Sequence, residues 1–378
     1  MIIFHLISSI DKGGAETHLY SLIKKQVKEK KKIYVIYLKG NDYWKKYYNK
    51  IGVKVFKINF ENNLNIFRFF FVVAKIKKII SKYNPDIIHA HLLTMELIGA
   101  IIKFNLKDKF KFIVTKHLDS FFLEASYGHR KILKGLIIDK FIINQSNKVI
   151  CISKQVKKYF NQAIPHKNKY KVIYYGFSVF NFKSSSNIKK VLNQFRKKNK
   201  IKKKDTVFCN VARHVKQKSI HTILKAFSIY IQDKKNTKLI LVGKGPETRN
   251  LKDLCDELEI SRNVIWINNY ENIKDIYLLS NVFILSSKYE GLGLVLLEAL
   301  SSKIPIIATN TSAIPEIIKN NYNGLLFDPG DYKSLATKLK KIQQNDLRKK
   351  ILKNGYNFIK KKFDLNKMNY LTNKIYRS

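Results

Sequence analysis

Short runs of β-branched and aliphatic residues alternate along this chain with segments whose apolar positions recur at helical spacing. The runs are nearly continuous rather than alternating apolar and polar, as in strands buried on both faces of a parallel sheet. In the first half they predict strands at 2–8, 33–38, 53–58, 86–90, 111–115, 148–152 and 171–175. Between the first two, Leu19, Leu22, Ile23 and Val27 share one face of a helix predicted over 14–30. A polar, Lys-rich stretch at about 181–205, containing Ser184-Ser185-Ser186, reads as a linker plus a surface helix. The rhythm then restarts, with strands predicted at 207–212, 238–242, 263–267, 281–285, 304–308 and 324–327. Residues 333–378 are Lys-rich and helical in pattern, and no short-period repeat is present. Strand–helix alternation in two tandem blocks predicts an α/β protein with two Rossmann-like domains.

Size agrees, since 378 residues exceed what one hydrophobic core supports. Charge adds something new. Lys and Arg number 73 against 27 acidic residues, a net charge of +46. Such a field draws in nucleic acid, anionic lipid or phosphorylated substrates. Nearly all of it is Lys, and Ile and Asn are abundant too; these residues share A/T-rich codons, so coding bias accounts for the charge equally well. The surface attracts anions in either case. No nucleic-acid motif accompanies it, so no nucleic-acid partner is expected. Cys151, Cys209 and Cys255 are widely spaced, which predicts buried thiols in a reducing compartment rather than a metal or disulfide framework. Residues 2–7 enter a strand directly, without signal-peptide character. The most apolar stretch, 66–80, is short for a membrane span and is interrupted by Arg68, Lys75, Lys77 and Lys78. A cytoplasmic protein without a transmembrane helix is the expectation.

Ligands of open parallel sheets bind beyond the carboxyl ends of the strands. After 2–8 comes Ser9-Ile10-Asp11-Lys12-Gly13-Gly14-Ala15-Glu16, where paired glycines open a helix; backbone amides there suit a diphosphate, or form an ordinary strand-to-helix turn. His91 follows 86–90, and Lys116 and His117 follow 111–115, whereas His89 reads as a strand residue. The segment 127–145 is a basic amphipathic helix, suited to a membrane surface or to a core with a solvated face. In the second half Arg213 and Lys218 follow 207–212, a planar fork and a point charge able to neutralise a leaving diphosphate. Gly243-Lys244-Gly245-Pro246 forms a tight turn after 238–242. After 281–285 comes Ser286-Ser287-Lys288-Tyr289-Glu290-Gly291-Leu292-Gly293-Leu294, and then Glu298 on an apolar helix where an unpartnered carboxylate would be costly.

These motifs, in this order, make the chain resemble the retaining GT-B glycosyltransferases of family 4, also called glycosyl transferases group 1. The resemblance covers almost the whole chain. It rests on Gly13 to Glu16, Thr115 and His117, Arg213 and Lys218, Gly243 to Pro246, and the Glu290/Glu298 pair with seven intervening residues. Thr309-Asn310, Ile314-Pro315-Glu316 and Asn323-Gly324-Leu325-Leu326 complete it. The resemblance implies two Rossmann-like domains facing across a cleft, with a C-terminal helix crossing back to the N-domain. It implies an acceptor-binding domain over 1–182, a nucleotide-sugar domain over 206–355 and a returning helix over 356–378. Glu298 would bind the ribose, and Glu290 and His117 the donor sugar. Arg213 and Lys218 would hold the diphosphate, with Gly13, Gly14, Gly243 and the amides of Gly291, Leu292, Gly293 and Leu294. The backbone at Asn269 would read the base.

The implied activity is a hexosyltransferase (EC 2.4). It would take a UDP-sugar rather than a GDP-sugar to a glycan or lipid-linked acceptor in bacterial cell-surface polysaccharide, lipopolysaccharide or capsule synthesis. No metal or cofactor is expected, and the enzyme would lie peripherally on the anionic inner face of the membrane. Asn268, Ser219 and Tyr175-Gly176…Ser178 depart from the family pattern, at positions that bear on base, sugar and interdomain detail rather than on the phosphate machinery. Competing readings are a basic polyanion-binding protein, a GT-B phosphorylase or sugar-phosphate synthase, and a catalytically dead relative.

Overall fold

The computed structural model describes residues 1–60, 66–118, 129–178, 186–268, 270 and 272–378. They form two compact units, one of Met1–Phe177 with Phe363–Ser378 and one of Ser178–Lys362.

The first unit carries a parallel sheet of β1 (Ile2–Ser9), β2 (Lys32–Lys39), β3 (Lys54–Lys57), β4 (Ile87–His91), β5 (Lys111–Lys116), β6 (Lys148–Cys151) and β7 (Tyr170–Val172). Their spatial order is β3-β2-β1-β4-β5-β6-β7. Every strand falls on a predicted apolar run, because helices cover both faces and every side chain of an inner strand needs an apolar neighbour. Along β1 the faces separate: Phe4 and Leu6 join one core cluster and Ile3 and Ile7 another. The first core is closed by α3 (Ile66–Tyr83) and α4 (Leu93–Leu106), the second by α1 (Gly14–Lys28). Also in this unit are α2 (Lys45–Lys50), α5 (His129–Gln145) and α6 (Lys154–Ala163).

The chain comes back to this unit at its end. Phe177 donates its N–H to the Phe363 carbonyl at 2.7 Å, and a Cβ on Gly176 would strike the Leu365 backbone. Asp364 then caps the last helix, α15 (Leu365–Arg377), by accepting the Lys367 N–H at 2.7 Å. Met368, Ile375 and Tyr376 of α15 complete the second core beside α1.

The second unit holds β8 (Thr206–Val211), β9 (Thr237–Val242), β10 (Val264–Ile267), β11 (Val282–Leu285), β12 (Ile306–Thr309) and β13 (Leu325–Phe327), in the order β10-β9-β8-β11-β12-β13. Its helices are α7 (Ser186–Lys198), α8 (Ile220–Asp233), α9 (Thr248–Glu257), α10 (Ile273–Leu279), α11 (Leu294–Ser301), α12 (Ile314–Ile317), α13 (Tyr332–Lys341) and α14 (Asn345–Lys362). The predicted division differs in detail from this one. Residues 356–362 continue α14 in the second unit, and the return begins only at Phe363. Residues 186–205 belong to the second unit, where Phe195 of α7 meets Tyr270 edge-on. Among the described residues no helix is long and apolar enough to cross a membrane.

Candidate active site

In the second sheet the strand order reverses between β8 and β11, so the loops after these two strands diverge and leave a crevice. Arg213 and Lys218 leave β8; Ser286 to Gly293 leave β11. The Ser286 hydroxyl donates to the carbonyls of Lys218 at 2.8 Å and Ser219 at 3.0 Å, and Lys288 N–H donates to the Gln217 carbonyl at 2.8 Å. These bonds set the Lys218 ammonium 2.5 Å from Glu290 Oε1, which also accepts from the Ser287 hydroxyl at 2.7 Å. Glu290 is buried, and the cation offsets the cost of its charge there. Arg213 is exposed.

Glu290 does not cap the following helix. Gly293, at φ +89°, is the N-cap residue of α11, and it carries no side chain to do so. The amides of Gly293 and Leu294 at the mouth of α11 therefore have no intrahelical acceptor, and Leu292 lies just before the cap. Glu298 is half-buried on α11, and the buried Tyr277 of α10 donates its hydroxyl to Glu298 Oε2 at 2.8 Å. Burial, with the Glu298 charge beside it, holds Tyr277 well above its usual range, so it stays a donor.

Gly243 has a packing role. At φ +133° its N–H donates to the Ile267 carbonyl, and a Cβ would collide with the Ala212 carbonyl oxygen. It lets the β9 turn lie against the end of β8. Asn269 lies outside the described residues.

In the first sheet the reversal falls between β1 and β4. Gly13 is the N-cap residue of α1, and Glu16 folds back so close that a Cβ on Gly13 would meet its carboxylate. Ser9 donates to Glu16 Oε1 at 2.8 Å. This helix mouth thus already faces an internal carboxylate beside Gly13 and Gly14.

Lys116 is taken up by structure. Its buried ammonium lies 2.5 Å from Glu96 Oε2 on α4 and 2.6 Å from Asp139 Oδ1 on α5. Burial pushes the Glu96 carboxyl up to about 7, Lys116 opposing it. Asp139, with buried Ile142 and Ile143, makes the described part of α5 a core-facing helix.

His117 is the end of a buried chain that the sequence reading missed. Its Nδ1 lies 2.5 Å from the Tyr175 hydroxyl and its Nε2 3.1 Å from His91 Nδ1. His91 Nε2 is 3.3 Å from His5 Nδ1, and His5 Nε2 is 2.9 Å from Gln26 Oε1. Gln26 Nε2 continues at 3.3 Å to the Tyr376 hydroxyl, which is 2.6 Å from His89 Nδ1; His89 Nε2 is 2.7 Å from Thr115 Oγ1. His18 stacks on Tyr175 at 4.1 Å. Burial holds His5 down to about 4 and His117 to about 3, and His18, His89 and His91 well below the ordinary histidine range. Three of these rings, His5, His89 and His91, are close enough to share one metal ion. Each of their six ring nitrogens already has a protein partner, so the cluster is built as a hydrogen-bond chain. The available signal was histidine inside apolar strand runs at positions 5 and 89, with His91 directly after the second run.

The family comparisons fit this geometry. The model for Glycosyltransferase Family 4 matches residues 12–179, and the model for Glycosyl transferases group 1 matches residues 192–358. The chain is a family 4 glycosyltransferase. This glycosyltransferase is 26% identical over 268 residues to N-acetyl-alpha-D-glucosaminyl L-malate synthase of Bacillus anthracis, covering 70% of this chain and 67% of that one. It is 28% identical over 295 residues to the capsular polysaccharide biosynthesis glycosyltransferase CapM of Staphylococcus aureus, covering 75% and 74%. Among solved structures it resembles Anabaena HepE in complex with UDP-glucose, with a TM-score of 0.85, 21% identity, and 99% and 98% of the two chains covered. Its fold is GT-B and it is a hexosyltransferase-type enzyme.

Proposed function

We propose that this glycosyltransferase moves a sugar from a UDP-sugar to a glycan or lipid-linked acceptor in cell-surface polysaccharide synthesis, with retention at the anomeric carbon. The observation that carries the reading is the buried Lys218–Glu290 pair at the β8/β11 reversal, with Glu298 one helix further on. The names of CapM and of the HepE complex with UDP-glucose support the acceptor class and the base.

In the proposed chemistry the glycosidic C–O bond to the diphosphate breaks and negative charge builds on the leaving oxygen. Arg213, Lys218 and the amides of Leu292 to Leu294 at the mouth of α11 stabilise that charge. The two cationic side chains supply the compensation that other enzymes take from a divalent metal, and we assign no metal to the reaction. Glu298, oriented by Tyr277, accepts from the ribose hydroxyls. Glu290 fixes Lys218 and faces the donor sugar; by the family resemblance alone, His117 is assigned to a sugar as well. Retention is compatible with a carboxylate nucleophile or with front-face attack assisted by the leaving phosphate.

The protein also docks peripherally on an anionic membrane, in this reading. The support lies on α3; residues 127–128 and the side chains of 129–134 in the predicted basic helix lie outside the described residues. Ile66, Phe67, Phe70 and Phe71 are exposed along one side of α3, with Arg68, Lys75 and Lys78 exposed on the same helix. Aromatic residues among cations are the composition of interfacial helices.

Thermal shifts with UDP, GDP, ADP and their sugar conjugates, without added metal, test the donor assignment. UDP compounds alone should raise the melting temperature, and Glu298→Ala should lose the shift. A shift with GDP alone would overturn the base assignment, and none with any nucleotide would overturn the donor site.

A further inference from the structure

The buried chain in the first unit has a property that no single bond in it has. Neutral imidazole carries one N–H and one lone pair, so a ring bonded on both sides passes on the polarity it receives. The Gln26 amide oxygen can only accept, so His5 Nε2 carries the proton and His5 Nδ1 accepts. His91 must then donate from Nε2 and accept at Nδ1, and His117 must donate from Nε2. That leaves His117 Nδ1 to accept from the Tyr175 hydroxyl. On the other arm Gln26 Nε2 donates to Tyr376, Tyr376 to His89 Nδ1, and His89 Nε2 to Thr115. Every ring nitrogen of His5, His89, His91 and His117 is matched. Turning the amide over reverses every bond on both arms and is equally self-consistent, so the chain has two polarities and one group selects between them.

We propose that Gln26 is a positioning residue for sugar transfer: through His5 and His91 it fixes which ring nitrogen of His117 carries the proton. The placement rests on β1, β4 and β5, whose parallel register sets His5 beside His89 and His91 beside Thr115. Helices α1 and α15 add Gln26 and Tyr376 over the same face. Desolvation keeps the rings neutral, which the relay requires. A sugar hydroxyl that takes the place of Tyr175 at His117 Nδ1 must then donate to that nitrogen in one polarity and accept from it in the other. The fixed tautomer thereby sets that hydroxyl's orientation. This consequence depends on the assignment of His117 to the donor sugar; the tautomer relay itself does not.

The test is long-range 15N–1H correlation spectroscopy of the full chain labelled at histidine, in the wild type and in Gln26→Met, which neither donates to nor accepts from His5. In the wild type His5, His91 and His117 should each show one tautomer, with all three rings protonated at the same nitrogen: Nε2 in the amide orientation traced above, Nδ1 in the reverse one. In Gln26→Met the His117 signals should move to a mixture of tautomers. Turnover should fall on the order of tenfold, with the Kd for UDP unchanged. An unaltered His117 tautomer in Gln26→Met overturns the proposal. Mixed tautomers at these rings in the wild type overturn it as well, whether or not the variant folds. The sugar-contact assignment fails separately, if His117→Ala turns over normally while the tautomer result stands.

Discussion

Glu290 takes both of its hydrogen bonds on one oxygen. Lys218 and Ser287 meet at Oε1, and Oε2 has no donor among the described residues. The Glu290 side chain keeps about 10% of its surface exposed, so Oε2 is open to solvent or to a ligand. That asymmetry leaves Oε2 available for the hydroxylated substrate proposed above, while Oε1 holds the Lys218 ammonium. Lys218→Met should therefore lower kcat by about 10²–10³, the scale of losing one preorganised charge stabiliser. Glu290→Ala should have a similar effect by removing both the sugar contact and the anchor of Lys218. Circular dichroism and melting curves identify variants that keep the fold, and steady-state turnover then decides. A folded variant with near-normal turnover removes that residue from the site. Gly243 shows the opposite kind of requirement, since its positive φ and the nearby Ala212 carbonyl explain the glycine by packing alone.

At the scale of elements, strands were the most legible feature. A parallel strand covered on both faces must be a short apolar run, and each predicted run became a strand. The Glu290/Glu298 spacing and the glycines of the β11 loop were legible because they lie within one local segment. The histidine chain was not, because it is assembled by register and by chain return: Tyr376 reaches Gln26 across 350 positions and His89 across 287. The α14–α15 boundary was hidden because both helices are Lys-rich and amphipathic, while the break at Phe363 is made by pairing with Phe177. The histidine chain also predicts a pH dependence. His5 and His117 titrate in the fold near 4 and 3, below the ordinary 6.5. The unfolded chain therefore binds more protons as pH falls below 6.5. The stability these groups contribute is complete above 6.5 and is lost on the way down to about 4 and then 3. Each depressed histidine gives a slope of about 1.4 kcal/mol per pH unit in that window. Glu96, raised to about 7, has the opposite sign: its contribution is present at low pH and is lost as pH rises through 7. The depressed histidines of this cluster outnumber the raised Glu96 and predict net destabilisation from this part of the first unit between pH 6.5 and 4. Urea unfolding at pH 7 and pH 5 measures it, and equal stabilities would show that these histidines are not buried neutral.

For the whole molecule, the net charge of +46 and the exposed aromatic side of α3 act over different ranges. Charge attracts an anionic surface over about one Debye length, roughly 8–10 Å at physiological ionic strength, and gives no fixed orientation. In the proposed docking, phenylalanine insertion needs contact and would fix which side of the first unit meets lipid. The two contributions separate experimentally. Binding to vesicles containing phosphatidylserine should weaken steeply with added salt, because the long-range part is screened. Replacing Phe67, Phe70 and Phe71 together with Ser should weaken binding at least tenfold at fixed salt, since each aromatic ring buried in lipid contributes on the order of 1.5–3 kcal/mol. The salt dependence should remain, because the charge is untouched. Sedimentation with phosphatidylserine and phosphatidylcholine vesicles at two salt concentrations distinguishes the outcomes. If the triple variant binds like the wild type, α3 is not the docking surface, and the charge acts without it. If neither protein binds anionic vesicles at low salt, peripheral membrane docking is wrong, and the acceptor must reach the enzyme in solution.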